Sequence, residues 1–285
     1  MKKVGLVLQG GGTRIAFSTG VVDVMMENNI FLPYVIGTSG GSMIAINYVS
    51  RNPGSSIKLI TGYIKDKNFL SISNFRKRGS MFNFEYLMNE EKRREDIKFN
   101  QDEFDSGRTR MLAVATECSE GKAAYFELGK CKDIIQGVTA SSSLPLVSKP
   151  YKIDKKEYLD GGLTDPIPFK KAFLDGNEKV IIIATRDYNF RKSEKPKHRG
   201  FLHMMYGVHY PEAYLACLND GIVYNRAAED VIKLEKEGKA FVVRPEDPIT
   251  ISHTEKDVDK INSLYKRGRE SGKKYLKQIQ EFINE

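Results

Sequence analysis

The sequence predicts an α/β fold in which a mostly parallel central sheet is flanked by helices and an early strand runs into a nucleophile elbow. Three observations predict it. Short, continuous apolar runs such as Val4-Gly5-Leu6-Val7-Leu8 and the Val-Ile-Ile-Ile-Ala core of residues 179–185 read as strands buried on both faces. Longer stretches of helical periodicity alternate with these runs. Two strand-to-helix junctions are rich in glycine, Gly10-Gly11-Gly12 and Gly37-Thr38-Ser39-Gly40-Gly41.

The first run ends in Gly10-Gly11-Gly12-Thr13-Arg14, and residues 14–28 then carry apolar side chains nearly all round a helix, as a buried helix does. Residues 33–36 form the second strand. Gly37-x-Ser39-x-Gly41 follows, and residues 41–51 form a helix stopped by Asn52-Pro53-Gly54. A serine at such a junction sits on a tight turn that only small neighbours permit. The helix after it aims unsatisfied N–H groups at charge developing on the serine oxygen. The plain alternative is a strand-to-helix turn with a capping serine.

Residues 55–101 read as an inserted, lid-like helical segment, with helices over 56–65 and 83–94 and with Glu90, Glu91, Lys92, Arg93 and Arg94 facing solvent. Strands at 111–116 and 124–128 are joined through Glu120-Gly121 as a hairpin. Residues 132–142 are helical and end in Ala140-Ser141-Ser142-Ser143-Leu144-Pro145, whose serines read as helix-terminus and loop residues. A short strand at 157–159 runs into Asp160-Gly161-Gly162. Alone this is a turn; behind an elbow it is the candidate base. Asp165 reads as the cap of a helix over 168–174. Beyond it lie strands at 179–185 and 240–244, a helix over 211–237 and a long polar helix over 256–282 with one apolar face.

Composition narrows the classes. The 285-residue chain is 40% hydrophobic and 29% charged, which fits a folded globular protein. Cys118, Cys131 and Cys217 are widely spaced and show neither a disulfide framework nor metal-ligand spacing, so a reducing cytoplasm and no metal or other cofactor are expected. The apolar run after Met1-Lys2-Lys3 stops at Leu8, too short for a signal sequence, and no stretch reaches the length of a bilayer span. The net charge of +8 is spread among interleaved acids and bases, and without zinc-finger or RNP-like motifs nucleic acid is not an expected partner. The basic run from Arg191 to Arg199, followed by Phe201 to Tyr206, makes residues 191–206 the candidate for peripheral contact with an anionic membrane surface; an ordinary loop entering a helix is the alternative.

The glycine triplet suits anion binding at a helix start. A dinucleotide fingerprint would need glycine at position 15 and an acid closing the next strand, yet Ile15 and Gly37-Thr38-Ser39 stand there, and a Walker A loop is absent. Oxyanion stabilisation fits better, since adjacent parallel strands bring both glycine junctions to one sheet edge. A Ser-His-Asp triad is permitted by chain order through Ser39, Asp160 and His253. However, only two strands precede the elbow, and His253 reads as a surface loop residue.

Gly10-Gly11-Gly12-Thr13-Arg14, Gly37-Thr38-Ser39-Gly40-Gly41 and Asp160-Gly161-Gly162, in this order, resemble the patatin-like phospholipase family; Ala140-Ser141-Ser142, Leu144-Pro145 and Pro166-Ile167-Pro168 add to the likeness. The resemblance covers about residues 4–175 and implies a catalytic core there; residues 176–285 carry no motif of the family, and their strands and helices are expected to complete the same globular unit. It implies Ser39 as nucleophile and Asp160 as its base without histidine. Gly10, Gly11 and Gly12, with Thr13 a further donor, become the oxyanion hole, and Arg14 anchors a substrate phosphate, the loop or an ion pair. Gly37 and Gly41 shape the elbow, and Gly161 and Gly162 the base motif. Ile15 departs from the family's usual glycine and puts the approach of the first helix in question. The implied activity is hydrolysis of fatty acyl esters of phospholipids or related lipids through an acyl-serine. A catalytically weak lipid-binding protein on the same fold is the main alternative.

Overall fold

A computed structural model describes residues 3–84, 86–87, 90 and 99–285. Its centre is an eight-stranded sheet in the order β5-β6-β3-β2-β1-β7-β8, with β4 paired to β3. The strands are β1 Val4–Leu8, β2 Tyr34–Thr38, β3 Arg110–Glu117, β4 Lys122–Glu127, β5 Tyr151–Ile153, β6 Lys156–Asp160, β7 Lys179–Ile183 and β8 Ala240–Val243. β1, β2, β3, β7 and β8 run parallel, and β4, β5 and β6 enter as antiparallel additions. All five residues of β1, β2 and β7 are buried, as continuous apolar runs require of strands covered on both faces.

Helix α1 (Ile15–Glu27) is buried at every residue except its last, and α2 (Gly40–Val49) is almost equally enclosed. Both join the larger core on one sheet face, together with the C-terminal helix Val258–Asn284. Facing glycines set how closely that last helix approaches. A Cβ at Gly20 would collide with the Tyr265 carbonyl, and one at Gly268 with the Phe17 carbonyl. Tyr265 then donates to the buried Asp23 carboxyl at 2.8 Å, and Arg269 forms a two-pronged pair with Glu27. The other face carries a second cluster that includes Ile36, Val114, Ile182 and Tyr224, the last from the helix Pro211–Lys236.

The sheet has one feature that decides where the chemistry can be. β4 pairs with residues 112–117 of β3, so β2 (opposite 110–114) and β6 (opposite 115–117) must share the other edge of β3. β2 runs parallel to β3 and β6 antiparallel, so their C-terminal ends meet head-on: Thr38 lies opposite Val114 and Asp160 opposite Ala115.

The inserted region contains helices Ser55–Tyr63, Ile72–Arg78 and Gln101–Asp105; the expected helix over 83–94 falls largely outside the described residues. Strand β5 and the helix Ile72–Arg78 were not expected from sequence. β5 is only three residues long and pairs locally across a turn at Asp154, so it carries little periodic signal. The capping role expected of Asp165 is corrected. The helix Phe169–Leu174 begins after Pro168 without a side-chain cap, and the Asp165 carboxyl instead accepts from Tyr125 Oη at 2.9 Å.

Candidate active site

Ser39 occupies the turn between β2 and α2 with φ 55° and ψ −129°, backbone angles that strain any residue with a side chain. The elbow glycines make this possible. A Cβ at Gly37 would strike the Gly41 backbone, and one at Gly41 the Leu8 carbonyl, so the turn closes only because neither has a side chain. The turn is further pinned by the Ser39 N–H, which donates to Ser141 Oγ at 2.8 Å, and by Ser42, whose backbone N–H and hydroxyl both donate to the Ser39 carbonyl. Ser141, a helix-terminus residue by its local pattern, serves the elbow instead. Its role lies 102 positions away from the turn it holds, and the only trace of it in sequence was the Ala140-Ser141-Ser142 motif.

Asp160 arrives on the opposing strand end, 3% exposed. Its Oδ1 accepts the Gly162 N–H at 2.7 Å and so caps the one-turn helix Gly161–Leu163. Gly161 has no room for a side chain because a Cβ would meet the Val114 carbonyl. Oδ2 is buried without a hydrogen-bond partner. Burial raises the pKa of this carboxyl to about 6, against the opposing pull of the Ser39 hydroxyl, the Gly162 N–H and the positive charge of Lys192. The Ser39 hydroxyl is thus close enough to act on a buried carboxyl that keeps one oxygen unpartnered.

The glycine loop closes the third side. A Cβ at Gly10 would lie 2.8 Å from the Thr38 carbonyl oxygen and 2.9 Å from Ser39 Cβ, so this backbone is pressed directly against the serine. Thr185 fixes the loop by donating to the Gly10 carbonyl at 2.7 Å and by filling the space where a Gly11 side chain would stand. Gly12 adopts φ +58° beneath the His253 carbonyl, a site closed to any Cβ. No described residue accepts from the N–H of Gly10, Gly11 or Gly12. The Thr13 N–H, by contrast, is taken by the His253 carbonyl at 2.9 Å, so Thr13 is corrected from a further free donor to a tether. Its hydroxyl donates to the Ser252 carbonyl and accepts the Glu255 N–H, and Arg14 Nε donates to the Ile251 carbonyl at 3.0 Å. The Arg14 side chain thus holds a loop of the C-terminal third, and no carboxylate among the described residues pairs with it.

Ser39 lines a cleft walled by apolar side chains, among them Ile15, Met43, Ile64, Phe69, Phe82 and Phe84. Ile15, where glycine was the family expectation, packs against Gly40: a Cβ there would be 2.8 Å from Ile15 Cγ2. Its side chain therefore becomes part of the cleft wall and leaves the first helix close to the elbow. His253 is an exposed loop residue, as expected, and it also borders this cleft. Partial enclosure, then the positive charges of Arg14, Arg186 and Lys192, push its pKa down to about 3, and it forms no hydrogen bond with Ser39 or Asp160. No group of three metal-ligating side chains occurs among the described residues.

Residues 6–173 match the family model described as patatin-like phospholipase, and residues 210–284 match a domain of unknown function. An uncharacterized protein of Escherichia coli K12, YjjU, is 26% identical over 188 residues, which is 64% of this chain and 52% of that protein; the chain thus aligns with about half the length of this relative. The crystal structure of VipD from Legionella pneumophila superposes with a TM-score of 0.58 at 14% identity, covering 98% of this chain and 67% of that one, a likeness of fold.

Proposed function

From the premise that this chain belongs to the patatin-like phospholipase family, we propose that it hydrolyses fatty acyl esters of phospholipids or related lipids with Ser39 as nucleophile and Asp160 as its base. The observation that carries the reading is the head-on meeting of β2 and β6, which brings the strand end bearing a strained serine to the strand end bearing a buried carboxyl whose Oδ2 has no hydrogen-bond partner.

In the proposed reaction Ser39 Oγ attacks the ester carbonyl carbon while its proton passes to Asp160 Oδ2. The tetrahedral oxyanion is held by the free N–H groups of Gly10, Gly11 and Gly12, aided by the positive end of α2. Collapse breaks the bond to the alcohol, which leaves with the proton from Asp160. Water then attacks the acyl-serine, giving a proton to Asp160; the bond from the acyl carbon to Ser39 Oγ breaks, the fatty acid departs, and Asp160 returns the proton to Ser39 Oγ. Aspartate is a weak base, with an ordinary pKa of about 3.9. Burial of Asp160 brings it towards neutrality and makes it a better acceptor.

The apolar cleft suits an acyl chain, its aromatic wall excluding water from the ester. The positive field of Arg14, Arg186 and Lys192 felt at His253, which borders the cleft, suits an anionic head group. The triad alternative lacks support, since His253 is held neutral among cations and forms no hydrogen bond with either partner it would need. A panel of phospholipids and neutral acyl esters tests the function: wild type releases fatty acid and Ser39→Ala does not. Equal release by both proteins refutes the nucleophile, and lipid binding without turnover by wild type favours the non-catalytic alternative.

A further inference from the structure

The basic-then-apolar stretch at 191–209 holds five lysines and arginines against one glutamate, and the fold divides its side chains by face. A short helix, Arg199–Leu202, continues into a π-turn over His203–Gly207. Leu202 and Tyr206 point inward and join a buried cluster with Leu159, Leu163 and Cys217. Phe201, Met204 and Val208, spaced along the opposite side, are 47%, 66% and 78% exposed. Leu215 at the start of the next helix is exposed as well. Large apolar side chains in one strip of surface are uncommon on a protein that meets only water.

Three cations flank this strip. Lys195, Lys197 and Arg199 are exposed, and none forms an ion pair with a carboxylate among the described residues. Lys192, in contrast, is tied to Asp220 at 2.8 Å, and Glu194, the one acid of the stretch, accepts from Asn225. The uncommitted charge of the stretch is therefore positive and lies directly before the apolar strip.

The element that carries the strip is tied through its buried side to a turn that borders the cleft. Tyr206 Oη accepts the Leu146 N–H and donates to the Ser148 carbonyl, both at 3.3 Å. Leu144, two residues before Leu146, is a wall of the cleft that contains Ser39. The turn that borders the cleft is thus bolted to the element that displays the strip.

We propose that Phe201, Met204 and Val208, with Lys195, Lys197 and Arg199, form the surface by which the protein adsorbs to an anionic lipid bilayer, presenting the cleft to lipid at the membrane face. The apolar side chains enter the acyl boundary and the cations meet lipid phosphates, an arrangement whose strength depends on both anionic lipid and salt. The proposal rests on the acyl-hydrolase reading for its purpose, but its test is separable.

The full-length protein is sedimented with phosphatidylcholine vesicles with and without phosphatidylglycerol. Wild type is expected to bind the mixed vesicles, to bind less well in high salt, and to bind pure phosphatidylcholine weakly. The triple variant Phe201→Ser, Met204→Ser, Val208→Ser should lose about tenfold or more of that binding. The variant Lys195→Glu, Lys197→Glu, Arg199→Glu should lose only the preference for anionic vesicles. In both variants, Ser39 should still react with a fluorophosphonate and a water-soluble short-chain ester should be turned over at the wild-type rate, which also reports an intact fold. Vesicle binding by the triple variant equal to wild type, or no vesicle binding by wild type, overturns the proposal. So does a wild-type dimer that dissociates in the triple variant, which assigns the strip to a second copy of this chain. Vesicle binding as expected with no reaction at Ser39 keeps the docking surface and refutes the catalytic reading.

Discussion

The N-terminal and C-terminal parts of this chain contribute to one site in opposite ways. Residues up to Gly162 supply the groups proposed to react: Ser39, Asp160 and the free N–H groups of the glycine loop. The last third supplies none of these, yet it surrounds the loop that must stay in register with Ser39. Thr185 holds Gly10, the 251–255 segment holds Thr13 and Arg14, and the C-terminal helix clamps α1 through Gly20 and Gly268. Substitutions in the first region should therefore strike the chemical step, and those in the second should act through position or stability.

The largest effect is expected at the base. Asp160→Asn should lower turnover by roughly three orders of magnitude or more, because it removes the carboxylate proposed to take the Ser39 proton. The same change should make the protein harder to unfold at neutral pH. The folded carboxyl titrates at about 6, above its unfolded value, so the favourable linkage is present in acid and is lost as pH rises through 6. Removing the ionisable group recovers up to about 3 kcal/mol at neutral pH and little in acid. Thermal melts of both proteins at the two pH values check this; a variant less stable at neutral pH would contradict it.

Next in size is the clamp. Gly268→Val would drive a side chain into the Phe17 carbonyl and should cost on the order of 3 kcal/mol or more of stability, with loss of activity only as the protein unfolds. Denaturant titration alongside activity distinguishes this from a catalytic defect.

A smaller effect is expected at the tether. Thr13→Val removes a hydroxyl that both donates to Ser252 and accepts from Glu255, and should lower kcat about tenfold with KM nearly unchanged, whereas Thr13→Ser should restore it. An unchanged kcat in Thr13→Val would show that the last third does not hold the loop in register.

The smallest concerns selectivity. Ile15→Gly opens the cleft wall beside Gly40 and should shift preference towards bulkier acyl chains by a few-fold, read as ratios of kcat/KM across a chain-length series.

The same division explains what could be read from the sequence. The elbow, the glycine triplet and Asp160-Gly161-Gly162 are contiguous motifs rich in small residues, so their positions at strand ends, and the two glycine junctions at one sheet edge, followed from pattern, whereas the head-on approach of β6 did not. The groups that hold them are far off in the chain. Ser141 reaches Ser39 across 102 positions, and the Ser252 carbonyl meets Thr13 across 239. A carbonyl acceptor leaves no mark in sequence, because any residue supplies one. His253 illustrates this: its carbonyl tethers Thr13 and the residue borders the cleft, a placement that its identity alone did not reveal. Asp165 shows the converse, an acid placed for capping by local pattern and then claimed by Tyr125, forty positions earlier.

The central claim is that Asp160, and not His253, takes the serine proton. The direct measurement is the pH dependence of the rate at which a fluorophosphonate labels Ser39, in wild type, Asp160→Asn and His253→Ala. His253→Ala leaves the backbone tether in place, so it should label at nearly the wild-type rate, falling as pH drops through about 6 in both. Asp160→Asn should label hardly at all at any pH. Loss of labelling in His253→Ala with labelling retained in Asp160→Asn would contradict the account.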